Sequence, residues 1–142
     1  MTTNSEAETR TQIVTLVRDF VRRDVEPVAG RYDNEDIYPQ ELVEKMREMG
    51  LFGVTIPEEY GGLGLDYTTY AMIFEELSKG WMSISGAIGT HHVMSYMIAN
   101  FGTEDQREQF LPRMAQGELR GGLALTEPEA GSDVQNIQTT AV

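Results

Sequence analysis

Apolar residues recur at helical spacing over most of this chain, which is the pattern of amphipathic helices that each bury one face. Glycine and proline separate these stretches, and a strand-like pattern starts only after Glu118. The sequence therefore predicts an all-α fold, a helical bundle with one or two β-strands at its C-terminal end. The predicted helices are residues 6–30, 39–49, 67–80, 83–100 and 103–117.

Local signals support several of these helix boundaries. Asp66 is typical of a helix N-cap, and Thr103 and Gln106 have the spacing of a capping box. Two prolines, Pro27 and Pro112, fall inside predicted helices, where each removes a backbone donor and crowds the preceding turn. We expect the first helix to kink or end near Pro27 and the last helix to bend or restart at Pro112.

The chain also divides by pattern into two units. Residues 51–65 are rich in glycine and form a long turn-rich loop, and a loop of that length is often functional. Residues 1–117 are predicted to form a helical N-terminal domain that includes this loop. Residues 118–142 are predicted to be the beginning of a β domain that is incomplete in this chain.

The composition excludes several classes of protein. The 142 residues include 23 acidic and 11 basic side chains, with a formal net charge of −12, whereas a nucleic-acid surface needs clustered Lys and Arg. The absence of cysteine excludes disulfides, thiol catalysis and cysteine metal sites. The N-terminal residues resemble neither a signal nor a transit peptide, and no apolar run approaches the roughly 20 residues of a bilayer span. We expect a cytoplasmic protein, or one already processed, with no membrane span and no nucleic-acid partner.

Adjacent histidines, His91 and His92, raise the question of a metal site. Neighbouring helix positions point about 100° apart, so the two rings cannot chelate one ion well, and the chain has no third histidine. We interpret them as ordinary helix residues, although one of them could line a pocket. The sequence predicts no metal site.

Two pairs of adjacent glutamates, Glu58 with Glu59 and Glu75 with Glu76, could in principle supply a general acid and a general base. Adjacent positions on a helix diverge, and 23 acidic residues make such pairs common by chance. We interpret both pairs as solvated faces, and we assign no catalytic base from them.

Three methionines, Met94, Met97 and Met114, could line a ligand tunnel, because methionine adapts to irregular apolar shapes. Core packing is the simpler interpretation and the one we favour. The run of small residues over 83–89 keeps the alternative open, because small side chains on one helix face admit a neighbouring backbone or leave space for a ligand.

The stretch 123–133 changes from a short apolar run into a cluster of Pro, Gly, Ser and Asp. A strand that delivers such a turn presents backbone N–H groups and small hydroxyls, which suit a phosphate or another anion. The competing interpretation is a polar β-turn whose backbone angles are set by Pro128 and Gly131.

Residues 124–136 resemble the first sequence signature of the acyl-CoA dehydrogenase family. That pattern is small, aliphatic, Ser/Thr, Glu, two variable positions, small, Gly, Ser/Thr, Asp, two variable positions and small. In this chain only Asn136 departs from it, because the family usually has Gly, Ser or Ala there. The further segments that resemble the family are 50–53, 57–66, 101–103 and 110–113.

The resemblance implies a fold and a reaction. Family members are similar in having an N-terminal helical domain, a middle β domain and a C-terminal four-helix domain, and most are homotetramers that bind FAD. This chain looks like the first domain and the opening strand of the second. The implied activity is the oxidation of acyl-CoA to 2-enoyl-CoA in fatty acid metabolism, with electrons passed to an electron-transfer flavoprotein. The family's catalytic glutamate would lie beyond Val142, so the chain contains no catalytic base and we expect it to be inactive alone.

The resemblance also implies roles for individual residues. Leu125 and Thr126 would lie near the pyrimidine edge of the flavin, and Gly131 and Ser132 nearer its pyrophosphate. Ser132 would also touch the acyl-CoA substrate, and Glu127 belongs to the signature rather than to the catalytic machinery. The implied cofactor-binding residues are Leu123, Ala124, Leu125, Thr126, Gly131 and Ser132, and the implied substrate-binding residues are Ser132, Ser85 and Gly89.

Leu123 stands where many relatives have an aromatic residue, and Ser85 and Gly89 fall near the end of the acyl pocket in relatives. Two alternative functions stay open at this level. One is a non-catalytic helical interaction module on the same scaffold. The other is a flavin oxidase or monooxygenase of the same superfamily, which the N-terminal region cannot distinguish from a dehydrogenase.

Overall fold

A computed structural model describes residues 4–141, and it confirms the all-α fold class. There are two short 3-10 turns, Glu58–Tyr60 in the glycine-rich loop and Val134–Asn136 after the last helix. The α-helices are α1 (Asn4–Phe20), α2 (Glu26–Asn34), α3 (Gln40–Glu48), α4 (Tyr67–Gly80), α5 (Met82–Phe101) and α6 (Glu104–Ala115).

A π-helical turn, Val21–Val25, joins α1 to α2 without a break. The N–H of Glu26 donates to the carbonyl of Val21 across this wider turn. Pro27 has no N–H for the usual bond, and a locally wider turn accommodates its ring. The helix therefore neither ends at Pro27 nor stops near residue 30, as the sequence pattern predicted, but continues to Asn34.

The capping predictions for α4 and α6 are confirmed. The Asp66 carboxylate accepts the backbone N–H of Thr69 at 3.0 Å, and Thr103 and Gln106 form a complete capping box. α6 runs through Pro112 to Ala115, so the predicted bend or restart does not interrupt it. The missing bond falls in the last turn of the helix, where a proline disrupts little of the helix.

The loop between α3 and α4 is more compact than its glycine content suggests. Its backbone bonds to itself, with N–H to carbonyl distances of 2.8 Å from Leu63 to Gly53 and from Leu65 to Val54. A Cβ on Gly62 would lie 2.0 Å from the carbonyl oxygen of Ile56, so only glycine allows this close approach. The loop buries four apolar side chains, Leu51, Phe52, Val54 and Ile56.

The hydrophobic core has two parts that meet at this loop. The larger part joins α1 to α5 with the start of the loop, and the smaller part joins the end of the loop to α6. Members of the larger part include Val17, Phe20, Val25, Met46, Phe52, Ile73, Leu77, Ile84 and Ile88, and the smaller part contains Ile56, Leu111, Met114 and Ala115.

The predicted terminal strands do not form within residues 4–141. Residues 121–126 form neither helix nor strand, and the β pairing of the described chain beyond Arg120 is a single isolated bridge between Glu127 and Ala130. A lone strand has no ladder to join, so a strand-like sequence without a partner strand remains extended. The division into units 1–117 and 118–142 stays a prediction.

Candidate functional site

The extended chain after α6 carries the predicted cofactor-binding residues along the surface. Leu123 and Leu125 are 49% and 44% exposed, although both are apolar. Within residues 4–141, the backbone N–H groups of residues 122–126 donate to no protein acceptor. This stretch therefore offers apolar side chains and free donors side by side. The predicted residues exposed on this course are Leu123, Ala124, Leu125, Thr126, Gly131 and Ser132.

A hydrogen-bonded turn separates the two halves of this group. Glu127 and Ala130 exchange backbone bonds, at 2.8 Å from the Glu127 N–H and 3.2 Å from the Ala130 N–H. Thr126 lies before the turn, and Gly131 and Ser132 lie directly after it. No heavy atom comes within 4 Å of a Cβ built on Gly131, so the space beside this residue is open.

The Glu127 carboxylate holds the turn against the chain that follows. It accepts the backbone N–H groups of Gln138 at 2.9 Å and Thr139 at 3.0 Å, and also the Thr139 hydroxyl. These donors stabilise the charged form and hold the pKa of Glu127 below its usual value. A carboxylate held in this way is a structural acceptor and not a base.

The two other predicted substrate residues, Ser85 and Gly89, lie on α5 within the helical part of the chain. Ser85 is buried, and its hydroxyl donates to the carbonyl of Met82 at 2.6 Å. A Cβ on Gly89 would lie 3.3 Å from Cζ of Phe74, so this glycine packs closely against α4. Within the part of the chain described, no hydrogen bond links either residue to residues 123–132.

A cavity of about 480 Å³ borders the same run of small residues. Ser83, Gly86 and Ala87 line it on α5, opposite the aromatic rings of Tyr38 and Trp81. The small side chains therefore leave space on one face of the helix, as one of the two alternatives for this run predicted. The three methionines differ in their surroundings. Met94 and Met114 pack in the smaller part of the core, whereas Met97 is exposed.

Both histidines of α5 are buried, which the sequence did not indicate. Nε2 of His91 lies 3.0 Å from the carbonyl oxygen of Phe52, and Nε2 of His92 lies 2.9 Å from that of Leu51. Burial lowers the pKa of both rings, and that of His92 to about 4. Among the described residues, no group of three His, Cys, Asp or Glu side chains could hold a metal ion.

In the pair of adjacent glutamates on α4, Glu76 is not on a solvated face. Glu76 is buried, and its carboxylate accepts bonds from Arg18 Nε at 3.1 Å and Nη2 at 2.9 Å. Lys79 donates to the same carboxylate at 3.0 Å. The bonds from Arg18, joined by those of Lys79, lower the pKa of Glu76 to about 2. The solvated-face prediction is therefore wrong for Glu76, which links α1 to α4, whereas Glu75 is exposed.

Comparison with known proteins places this arrangement in a family. Residues 7–118 match the family model described as Acyl-CoA dehydrogenase, N-terminal domain. The chain belongs to the acyl-CoA dehydrogenase family. The matched residues end before the signature-like stretch 124–136, so the family match and the signature are separate observations that agree.

Two relatives illustrate the range of the family. An acyl-CoA dehydrogenase of Bacillus subtilis (strain 168) is 37% identical over 128 residues, which are 89% of this chain and 34% of that protein. An acryloyl-CoA reductase (NADH) of Anaerotignum propionicum is 39% identical over 127 residues, which are 89% of this chain and 32% of that protein. This acyl-CoA dehydrogenase family chain thus spans about a third of the length of these relatives.

A solved structure supports the same fold. The acyl-CoA dehydrogenase complexed with FAD from Bacillus anthracis matches with a TM-score of 0.74 and 33% identity, over 92% of this chain and 22% of that one. None of the helices in residues 4–141 combines the length and the apolar composition needed to cross a membrane.

Proposed function

We propose that the protein carrying this chain is an FAD-dependent dehydrogenase that oxidises acyl-CoA to 2-enoyl-CoA. Its membership of the acyl-CoA dehydrogenase family supports this, as does the likeness to a Bacillus anthracis member complexed with FAD. The observation that carries the proposal is the exposed stretch 122–126, whose backbone donors are unused within residues 4–141 and which leads into the signature-like residues 124–136.

The residues of this stretch fit one edge of a flavin. Leu123 and Leu125 provide apolar contact for a ring, and the backbone N–H groups and the Thr126 hydroxyl are donors for polar ring atoms. The N–H groups near Gly131 and the Ser132 hydroxyl suit phosphate oxygens. When bound, FAD would supply the acceptor for the hydride that leaves the β-carbon of the acyl chain. The backbone N–H groups of residues 122–126 and the Thr126 hydroxyl would then stabilise the negative charge that develops on the ring.

The substrate side of the proposal uses other residues. Ser132 contacts acyl-CoA, and Ser85 and Gly89 lie near the end of its acyl chain. The base that takes the α-proton is a glutamate beyond Val142 and is not Glu127, whose carboxylate already accepts three donors.

The wider assignment rests on the family. The proposed electron acceptor is an electron-transfer flavoprotein, the proposed assembly is a homotetramer, and the proposed setting is fatty acid metabolism in the cytoplasm. Residues 118–142 would then open a β domain whose further strands pair with the extended stretch.

Flavin absorbance tests the proposal directly. The purified protein should carry FAD, and an acyl-CoA series should bleach its visible absorbance without oxygen, with a 2-enoyl-CoA as the product. A protein that neither retains nor binds FAD would overturn the proposal and favour the helical interaction module. Stoichiometric hydrogen peroxide from acyl-CoA and oxygen would indicate the oxidase instead.

A second candidate is the reverse chemistry. It is favoured by the relative named acryloyl-CoA reductase (NADH), which is 39% identical to this chain. The two candidates differ in the direction of electron flow. Bleaching of the flavin by acyl-CoA supports oxidation, whereas NADH-dependent loss of enoyl-CoA, without acyl-CoA-dependent bleaching, supports reduction.

A further inference from the structure

We propose that His91 is a positioning residue for the flavin-contacting stretch, because its ring ties the backbone at Gly121 to the buried loop at Phe52. This inference rests on the proposed function for its consequence at the cofactor. The tie itself is a property of the fold and can be tested without the cofactor.

The two bonds of His91 run in opposite senses. On one side Nε2 is 3.0 Å from the carbonyl oxygen of Phe52, and on the other side Nδ1 is 3.3 Å from the backbone nitrogen of Gly121. A carbonyl can only accept and a backbone N–H can only donate, so the neutral ring carries its proton on Nε2. The fully buried His91 thus bridges two backbone segments that are distant in sequence.

The packing around Gly121 makes this bridge a fixed point. A Cβ on Gly121 would lie 2.6 Å from Cβ of Met94 on α5 and 3.1 Å from Cε of Met114 on α6. The backbone therefore lies directly on both helices at this residue. Among the hydrogen bonds of residues 4–141, the one from Gly121 to His91 is the last between the helices and the chain that follows.

The positions of the apolar side chains and backbone donors of the stretch depend on the backbone at Gly121. Leu125 and Thr126 follow Gly121 within a few residues and have no hydrogen bond of their own to the helices in the described chain. A shift at Gly121 is therefore carried along the extended backbone to both residues. Positioning of this kind matters because donors must lie within a fraction of an ångström of the atoms that they stabilise.

His92 provides a matched control on the next residue. It is buried, its Nε2 bonds to the carbonyl of Leu51 at 2.9 Å, and its Nδ1 lies 3.3 Å from the Thr55 hydroxyl. Like His91, it is a buried imidazole whose Nε2 bonds to a carbonyl of the loop. It differs in having, among residues 4–141, no hydrogen bond to the chain beyond α6.

Amide substitutions separate the two ends of the His91 ring. In His91→Asn the side-chain oxygen stands where Nδ1 was and can still accept the Gly121 N–H. In His91→Gln the side-chain nitrogen stands where Nε2 was, so the bond to Phe52 can form and the bond to Gly121 is lost. His92→Gln is the control for the loss of a buried imidazole.

Amide hydrogen exchange over residues 119–126, measured without added cofactor, is the primary readout. We expect about five-fold faster exchange at Gly121 in His91→Gln, the loss expected for one hydrogen bond of about 1 kcal/mol. His91→Asn should remain near the wild type there, and His92→Gln should change exchange only near residues 51–55. Equal acceleration at Gly121 in His91→Gln and His92→Gln, or no acceleration in either, would overturn the inference, as would failure of His91→Asn to preserve protection.

The FAD dissociation constant and the flavin reduction potential are the second readout. Both should shift in His91→Gln and stay near the wild type in His91→Asn and His92→Gln. A wild-type protein without FAD would overturn the proposed function, while the exchange data would still decide the role of His91. Faster exchange at Gly121 with an unchanged dissociation constant and potential would show that the tie does not position the cofactor.

Discussion

The helical body, residues 4–120, and the C-terminal segment, residues 121–141, are held together by different kinds of interaction. In the body, two hydrophobic clusters enclose side chains from every helix, and the loop 51–65 is folded into them. In the segment, Ala130 is buried, but the leucines are exposed and the side-chain bonds of Glu127 and Asp133 stay within the segment.

The two regions therefore differ in where their interaction partners lie. The apolar side chains of the body pack against one another, so their partners lie within the chain. The segment forms a turn, but within residues 4–141 the backbone N–H groups of residues 122–126 have no protein acceptor. Among the described residues, this segment is rich in apolar and small side chains, yet it remains exposed. Such a surface indicates a binding site for a ligand or for another part of a protein. Substitutions in the two regions should therefore affect stability very differently.

The largest difference should come from removing one large apolar side chain from each region. Phe52 is 1% exposed, and Phe52→Ala should lower the free energy of unfolding by about 4 kcal/mol, since it leaves a cavity in the core. Leu125→Ala should change it by less than about 0.5 kcal/mol, because Leu125 is already half exposed. Urea unfolding followed by circular dichroism measures both. Comparable losses would show that the segment is part of the core.

Acidification should weaken the body through its buried histidines. The unfolded ring of His92 binds a proton below about pH 6.5, whereas burial lowers its folded pKa to about 4. The unfolded state therefore gains protons first, so stability is complete above pH 6.5 and falls as the pH drops toward 4. The full loss for His92 is about 3 kcal/mol, of which about 2 kcal/mol has occurred by pH 5.

Urea midpoints between pH 7.5 and pH 5 should follow this decline. His91 adds to it in the same direction, because burial lowers its pKa as well. The lowered pKa values of Glu76 and Asp66 act only below the ordinary carboxyl range, outside this window. His92→Gln should reduce the decline between pH 6.5 and 5, because the ring that gains a proton in the unfolded state is removed. An unchanged slope in this variant would show that His92 does not carry the effect.

The bridge between α1 and α4 should contribute a smaller amount. Glu76→Gln keeps the shape of the side chain but removes the charge that Arg18 binds with two N–H groups, so we expect a loss of about 2 kcal/mol at pH 7. Glu75→Gln is the matched control, because Glu75 is 64% exposed and its ion pair among the described residues is with the exposed Lys79. Its expected change is below about 0.5 kcal/mol. Equal effects of the two substitutions in urea unfolding would contradict the assignment of Glu76 to the body.

The features that the sequence predicted well are those with a local cause. The caps at Asp66 and Thr103 depend on residues three positions away, and the helix periods depend on neighbours within one or two turns. The π-helical turn before Pro27 was missed, because a proline that a helix accommodates and a proline that ends one look alike in sequence.

The features that the sequence did not reveal have distant partners. His91 and His92 diverge on the helix, yet both are buried because the carbonyls of Phe52 and Leu51 meet them from the loop about 40 residues earlier. Glu76 is buried because Arg18 reaches it from α1, 58 residues away. For the stretch 123–132, composition indicated a possible anion site, whereas the roles of its single residues were implied by resemblance alone and stay predictions until a cofactor is measured.

The smallest effect on global stability should come from the turn of the segment. Glu127→Ala removes the acceptor for the N–H groups of Gln138 and Thr139 without touching the core of the body. The urea midpoint should stay at its wild-type value, because the turn makes no hydrogen bond to the helices within residues 4–141. Amide exchange over residues 127–139 should nevertheless become faster, because two amides lose their acceptor. Glu129→Ala is the matched control, since Glu129 is exposed on the same turn and its removal should leave exchange unchanged. A lowered midpoint in Glu127→Ala would mean that the segment and the body unfold as one unit, and the contrast between them would fail.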